Sequence, residues 1–244
     1  MMTEGISVPL ENAKPETNER AKKMVLYIGI FSIIMLFAGL SSAYVISSYG
    51  EIWVNISMPP AFYISTAFIL LSSLTISQAV RASNAGNEPK TNVFFMLTLI
   101  LGVGFGVSQF YGWEQLTGKG SYLSSHVDNL EGEYGKDYSI EFKGRELVYY
   151  EGDYYYSNDE LHEKPLTDEI SIYANSASSY TYILSALHLL HVLGGFLFLL
   201  GIWLVGKLGK SGKINNLRLR LGATYWHFVD GLWIYLFLFL LLFH

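Results

Sequence analysis

Long apolar runs separated by polar segments dominate the chain. Five of them, at 24–49, 59–80, 91–113, 179–206 and 221–244, exceed the roughly 20 residues that cross the hydrocarbon core of a bilayer. Only the last contains a formal charge, Asp230. The pattern predicts an all-α integral membrane protein, a bundle of five transmembrane helices. Its parts are a polar tail at 1–23, helices one to three within 24–116, an insertion at 117–178, and helices four and five within 179–244.

The insertion has a different rhythm. Across 137–156, short apolar and polar alternations are interrupted by Lys143-Gly144 and Glu151-Gly152-Asp153, which are turn residues. Tyrosines recur at 149, 150, 154, 155 and 156. This predicts a β-hairpin or three-stranded meander projecting from the membrane. No internal repeat is evident.

Composition agrees with a membrane chain: 15% of the 244 residues are charged, against roughly 25% in soluble domains. The absence of cysteine removes disulfides, thiolate ligands and cysteine nucleophiles together. The net charge of −5 conceals an asymmetry. Residues 117–178 hold 13 acidic and 5 basic side chains, a balance of −8, while the remainder sums to +3. Nucleic acid is not an expected partner.

Positive charge alternates by loop. Lys14, Arg20, Lys22 and Lys23 precede the first run, Arg81 and Lys90 lie between the second and third, and Lys207, Lys210, Lys213, Arg218 and Arg220 lie between the fourth and fifth. No basic residue separates the first two. By the positive-inside rule the N-terminus is cytoplasmic, and His244 and residues 117–178 are extracytoplasmic. The first apolar run starts too late and is too long for the core of a cleaved signal peptide.

Ionisable groups inside a membrane are functional candidates by default. Here they are His188 and His191 in the fourth run and His227 and Asp230 in the fifth. Three-residue spacing places each pair on one helix face. At about 1.5 Å per residue, His191 and Asp230 both sit roughly 18 Å below the outer surface. Two antiparallel helices bring Asp230 against a histidine of the fourth run as a proton relay, a metal site or a polar clamp that fixes packing.

Other chemistries fare less well. Histidines three apart on one helix cannot be opposed axial ligands of one haem, and His191 and His227 differ by about 5 Å in depth. A dinuclear carboxylate site needs several glutamates within the bundle, and the runs contain none. Gly102, Gly104 and Gly106 form a small-residue stripe suited to close helix approach, and Gly194-Gly195 reads the same way. Gln109 and Glu114 fall near the outer interface, Glu114 as a candidate for proton handling.

Tyr225-Trp226-His227-Phe228-Val229-Asp230-Gly231-Leu232-Trp233 closely resembles the terminal-helix signature of subunit III of the haem-copper oxidases, cytochrome c oxidase subunit III. The stretch from Leu187 through His188 and His191 to Gly195 resembles the penultimate helix of that family, and Leu101 to Gln109 and Ser73 to Ser77 resemble its middle helices more weakly. The resemblance covers roughly 24–116 and 179–244. Five spans match the shorter bacterial members, without the two further helices that frame a lipid-filled cleft in longer ones. The family often carries a glutamate six residues before a glycine in the matching first helix. Counted from Gly39, that position is Ile33, so the proton role of that carboxylate does not transfer.

The resemblance implies a non-catalytic subunit of a bacterial plasma-membrane terminal oxidase that reduces oxygen to water and pumps protons. Haems and copper belong to subunits I and II, and this chain binds no redox cofactor but holds structural phospholipid. It supports subunit I and proton access. Because five apolar faces cannot all satisfy one another, the chain alone is expected to be poorly stable. Two alternatives stay open: a quinol oxidase as the host complex, and a small membrane cytochrome built on His188, His191, His227 and Asp230. The acidic, tyrosine-rich insertion lies outside the resemblance. It suits a partner such as a subunit II extension, a cytochrome c domain, or a quinol:cytochrome c reductase in a supercomplex.

Overall fold

A computed structural model describes residues 15–124, 126–159, 161–208 and 213–243, with side chains from residue 19 onward. The start of the polar tail through Lys14, together with Glu160, Lys210 and His244, lies outside the described residues.

Five long helices occupy the five apolar runs: α1 (Pro15–Ser48), α2 (Pro60–Asn84), α3 (Glu88–Thr117), α5 (Ser176–Leu208) and α6 (Asn216–Phe243), with α4 (Thr167–Ser171) a single short turn within the insertion. All five are long and apolar enough to span a membrane. Most overrun the apolar stretch because helix formers and caps extend them. Pro60 opens α2 at a position where the missing N–H is harmless. Asn87 caps α3 by accepting from Lys90 N at 3.2 Å. Asn215 does the same for α6, accepting from Arg218 N at 3.0 Å.

The helices pack unequally. The tightest pair is the α2–α3 hairpin; α6 leans on both α2 and α5, and α1 touches only the margin formed by α5 and α6. Much of α1 therefore stays exposed, including Met24, Val25, Phe31 and Met35. One core runs from the sheet through α2, α3, α5 and α6, and a second joins Phe37 and Tyr44 of α1 to Leu184, Leu236 and Leu240.

The insertion forms β2 (Tyr138–Phe142), β3 (Arg145–Tyr150) and β4 (Asp153–Tyr156), which is the three-stranded form of the expected meander. Lys143-Gly144 and Glu151-Gly152 turn the chain, all four with positive φ. A fourth strand was not anticipated: β1 (Ile52–Ile56), between the first two spans, pairs antiparallel with β2, giving the order β1-β2-β3-β4. The loop after α1 and the insertion after α3 therefore lie at the same end of the bundle.

The tyrosines largely pack within the insertion itself. Tyr138 and Tyr154 share a hydroxyl hydrogen bond of 2.9 Å, and the Tyr134 hydroxyl donates to Leu147 O at 2.7 Å. Ile140, Phe142, Leu147, Leu166 and Ile170 are buried beneath them. Burial, followed by the Tyr138 hydroxyl, pushes the Tyr154 hydroxyl well above its ordinary range.

Candidate functional site

Helix α2 presents a ladder of hydroxyl groups to its neighbours, and the signature residues of α6 fasten onto it. Thr66 donates to Phe62 O at 2.8 Å, leaving its oxygen lone pairs for the Trp233 indole N–H at 2.9 Å. Ser72 repeats the arrangement, donating to Ile69 O at 2.9 Å and accepting from Trp226 at 3.0 Å. Trp226 and Trp233 are both fully buried, and their seven-residue separation keeps them on one helix face.

His227 extends the same seam. Its Nδ1 lies 2.7 Å from Ser73 Oγ and its Nε2 lies 3.2 Å from Ser77 Oγ. Ser77 already donates to Ser73 O at 3.0 Å, so the arrangement is satisfied when Nε2 carries the proton and Ser73 donates to Nδ1.

The four ionisable candidates are not gathered into one cluster. His188 is fully buried between Phe105 and Trp233, at ring-centroid distances of 5.8 and 5.2 Å, and neither of its nitrogens has a hydrogen-bond partner among the described residues. His191 turns toward α1, its Nδ1 2.7 Å from Leu187 O and its ring against Phe37. Asp230 is 2% exposed, and neither carboxylate oxygen meets hydrogen-bond geometry among the described residues. The Ser73 hydroxyl approaches it, but its single hydrogen serves His227 in the arrangement above. The sequence places Asp230 against a histidine of the fourth span; the structure instead gives Asp230 no histidine partner among the described residues and turns Trp226, His227 and Trp233 toward α2.

These placements bear on ligand chemistry. Both nitrogens of His227 are engaged by serines, and His191 faces α1, so the pair does not fit axial ligation of a haem. Among the described residues, no group of three His, Asp or Glu side chains converges as a metal donor set.

The remaining signature residues act in packing. Tyr225 donates to His191 O at 3.2 Å, tying α6 to α5, and Phe228 packs on the α1 side of the core. A Cβ on Gly102 would lie 3.1 Å from the Trp226 ring, so the glycine admits the indole. Gly195 does the same for Tyr225. Gly104 lies against Phe68, while Gly106 and Gly194 have open space around them. Gln109 is buried and donates to Ser65 at 2.9 Å. Glu114 is exposed near the C-terminal end of α3. The hydroxyl ladder of α2 escapes sequence reading, because serines in an apolar run look the same whether they face a partner or their own backbone.

Comparison with known proteins gives the same direction. No protein-family model matches the chain. A cytochrome c oxidase subunit 3 of Triticum aestivum is 33% identical over 78 residues, covering 32% of this chain and 28% of that protein. "Probable cytochrome c oxidase subunit 3" of Rickettsia felis is 24% identical over 230 residues, covering 90% of this chain and 64% of that protein. The protein of the same printed name in Nocardia farcinica is 23% identical over 220 residues, covering 86% and 82%. The chain thus spans under a third of the length of the Triticum protein and just under two thirds of the Rickettsia protein. With similarity running along most of its length and five apolar helices beneath it, this chain is a homologue of cytochrome c oxidase subunit 3.

Proposed function

We propose that the chain is the third subunit of a haem-copper terminal oxidase in a bacterial plasma membrane, a complex that reduces oxygen to water and pumps protons. The observation that carries this reading is similarity to subunit 3 proteins over 86–90% of the chain. The wedging of Trp226, His227 and Trp233 into α2 supports a structural role for the α6 signature, because both indole N–H groups and both imidazole nitrogens end on a serine or threonine. Haems and copper then reside in subunits I and II. This chain braces subunit I, holds lipid and assists proton access, with its N-terminus cytoplasmic and the sheet outside.

The apolar surface left open along α1 suits a protein or lipid neighbour. At the cytoplasmic end, a groove of about 720 Å³ has apolar walls including Leu26, Leu197, Phe198 and Val205, with Lys22 and Arg218 at its rim. Apolar walls below cations suit a phospholipid with an anionic headgroup. Glu114 remains a candidate for proton handling by its exposed position at the outer end of α3.

An absorption spectrum of the separated chain tests the reading. The chain freed from its partners should show no haem Soret band, while the parent complex does. A stoichiometric bis-histidine haem spectrum on the isolated chain would overturn the proposal in favour of a small membrane cytochrome.

A further inference from the structure

A groove of about 780 Å³ opens between the sheet and the outer ends of α1 and α6. Glu51, Trp53, Asn55 and Glu141 line it, with the exposed rings of Tyr49 and Phe243 at its rim. Two features make it a built surface rather than a gap.

The first is a charge conflict. Glu141 stands directly opposite Glu146 in the β2–β3 ladder. Residues paired in this way share one face, where like charges destabilise the sheet. Among the described residues neither glutamate has an ion-pair partner; the ion pairs of the insertion are Lys119–Asp137, Lys136–Glu133 and Lys143–Glu169. The contact Glu141 makes is to Asn55 Nδ2 at 3.3 Å. Lys143, at the lip of the groove, is held 3.0 Å from Glu169.

The second is extent. Alternation along β3 carries the Glu146 face outward through Val148 and Tyr150, both exposed. An apolar and aromatic centre beside carboxylates has the anatomy of a protein interface.

The groove therefore calls for a ligand that brings cations for the carboxylates and follows the line of the sheet face. An extended peptide bearing Arg or Lys does both. A lipid headgroup fits less well, because the surface continues along β3 away from the helix ends and the surrounding insertion carries −8. We propose that this groove seats a basic, extended segment of a neighbouring extracytoplasmic protein domain, with its cationic side chains on Glu141 and Glu146. The proposal rests on the reading of the chain as part of a membrane assembly and names the chemistry of one partner.

The test uses the full chain in phosphatidylcholine nanodiscs and, as probe, a fluorescent acetylated peptide of alternating arginine and alanine. Saturable binding is expected, weakening at least about tenfold in Glu141→Gln/Glu146→Gln and falling as salt is raised. The double variant removes the cross-strand repulsion, so its thermal stability should be unchanged or higher while binding is lost. Absent binding, equal binding by the double variant, or displacement of the peptide by phosphatidylethanolamine added to the discs would each overturn the proposal. None of these readouts uses oxidase activity or co-purification, so a failure here leaves the oxidase reading standing.

Discussion

Trp226 and Trp233 each join a large buried ring to one directed hydrogen bond. Ser72→Ala removes the acceptor and leaves the Trp226 indole N–H without one. Hydrogen bonds between membrane helices are worth about 0.6 kcal/mol on average and up to about 1.7 kcal/mol. A double-mutant cycle of Ser72→Ala with Trp226→Phe, read by unfolding in a denaturing detergent, should give a coupling energy in that range. A coupling indistinguishable from zero would mean that the indole contributes through volume alone. The expected effect of Asp230→Asn is weaker assembly or stability with haem content intact in the complexes that form. Haem and metal analysis of the assembled variant checks it, and loss of either cofactor would assign Asp230 a different role.

Among the helices, α2 and α3 form the most closely packed pair of the bundle. Gly112 lets it close, since a Cβ there would run into the Phe62 ring. Gly112→Ala should destabilise the helix pair by about 1–3 kcal/mol through overpacking, measurable as a lowered unfolding midpoint; an unchanged midpoint would show that Phe62 moves aside freely.

The outer sheet makes a separate prediction in pH. The Asp137 carboxylate accepts from Glu133 N at 3.0 Å and lies 3.1 Å from Lys119 Nζ. The backbone hydrogen bond first and Lys119 second hold its pKa below the ordinary carboxylate value. A depressed folded value gives stability that is present above the ordinary pKa and lost as pH falls through the folded one. Near-ultraviolet circular dichroism of the tyrosines should therefore loosen below about pH 4, and Asp137→Asn should be looser at neutral pH and less sensitive to acid. Identical acid profiles for the two proteins would remove Asp137 from the account.

The helices and the β2–β4 meander are legible in the sequence because their signals are local: run length in one case, and alternation with Lys143-Gly144 and Glu151-Gly152 in the other. Strand β1 is not legible, because five residues between two spans acquire strand character only by pairing with β2, more than 80 residues away. The site was half visible. The α6 signature stands out as a polar and aromatic interruption in an apolar run. Its partners on α2 do not, because helix-to-helix rotation decides which of Thr66, Ser72, Ser73 and Ser77 face α6, and no local pattern records that rotation.

For the whole molecule, the uneven packing is the decisive feature. Helix α1 leaves much of its apolar surface open while α6 is well enclosed, so the bundle has one finished side and one that needs a neighbour. The apolar groove near Lys22 and Arg218 and the acidic groove beside the sheet lie toward opposite ends of the molecule, as the proposed lipid and protein contacts require. The measurement that tests the central claim most directly is purification of the tagged chain from its native membrane in mild detergent, followed by protein identification and haem and copper analysis. The account predicts a larger complex containing oxidase subunits I and II in equal stoichiometry with this chain, with all haem and copper outside it. A stable, monodisperse five-helix monomer with no oxidase partner would contradict it.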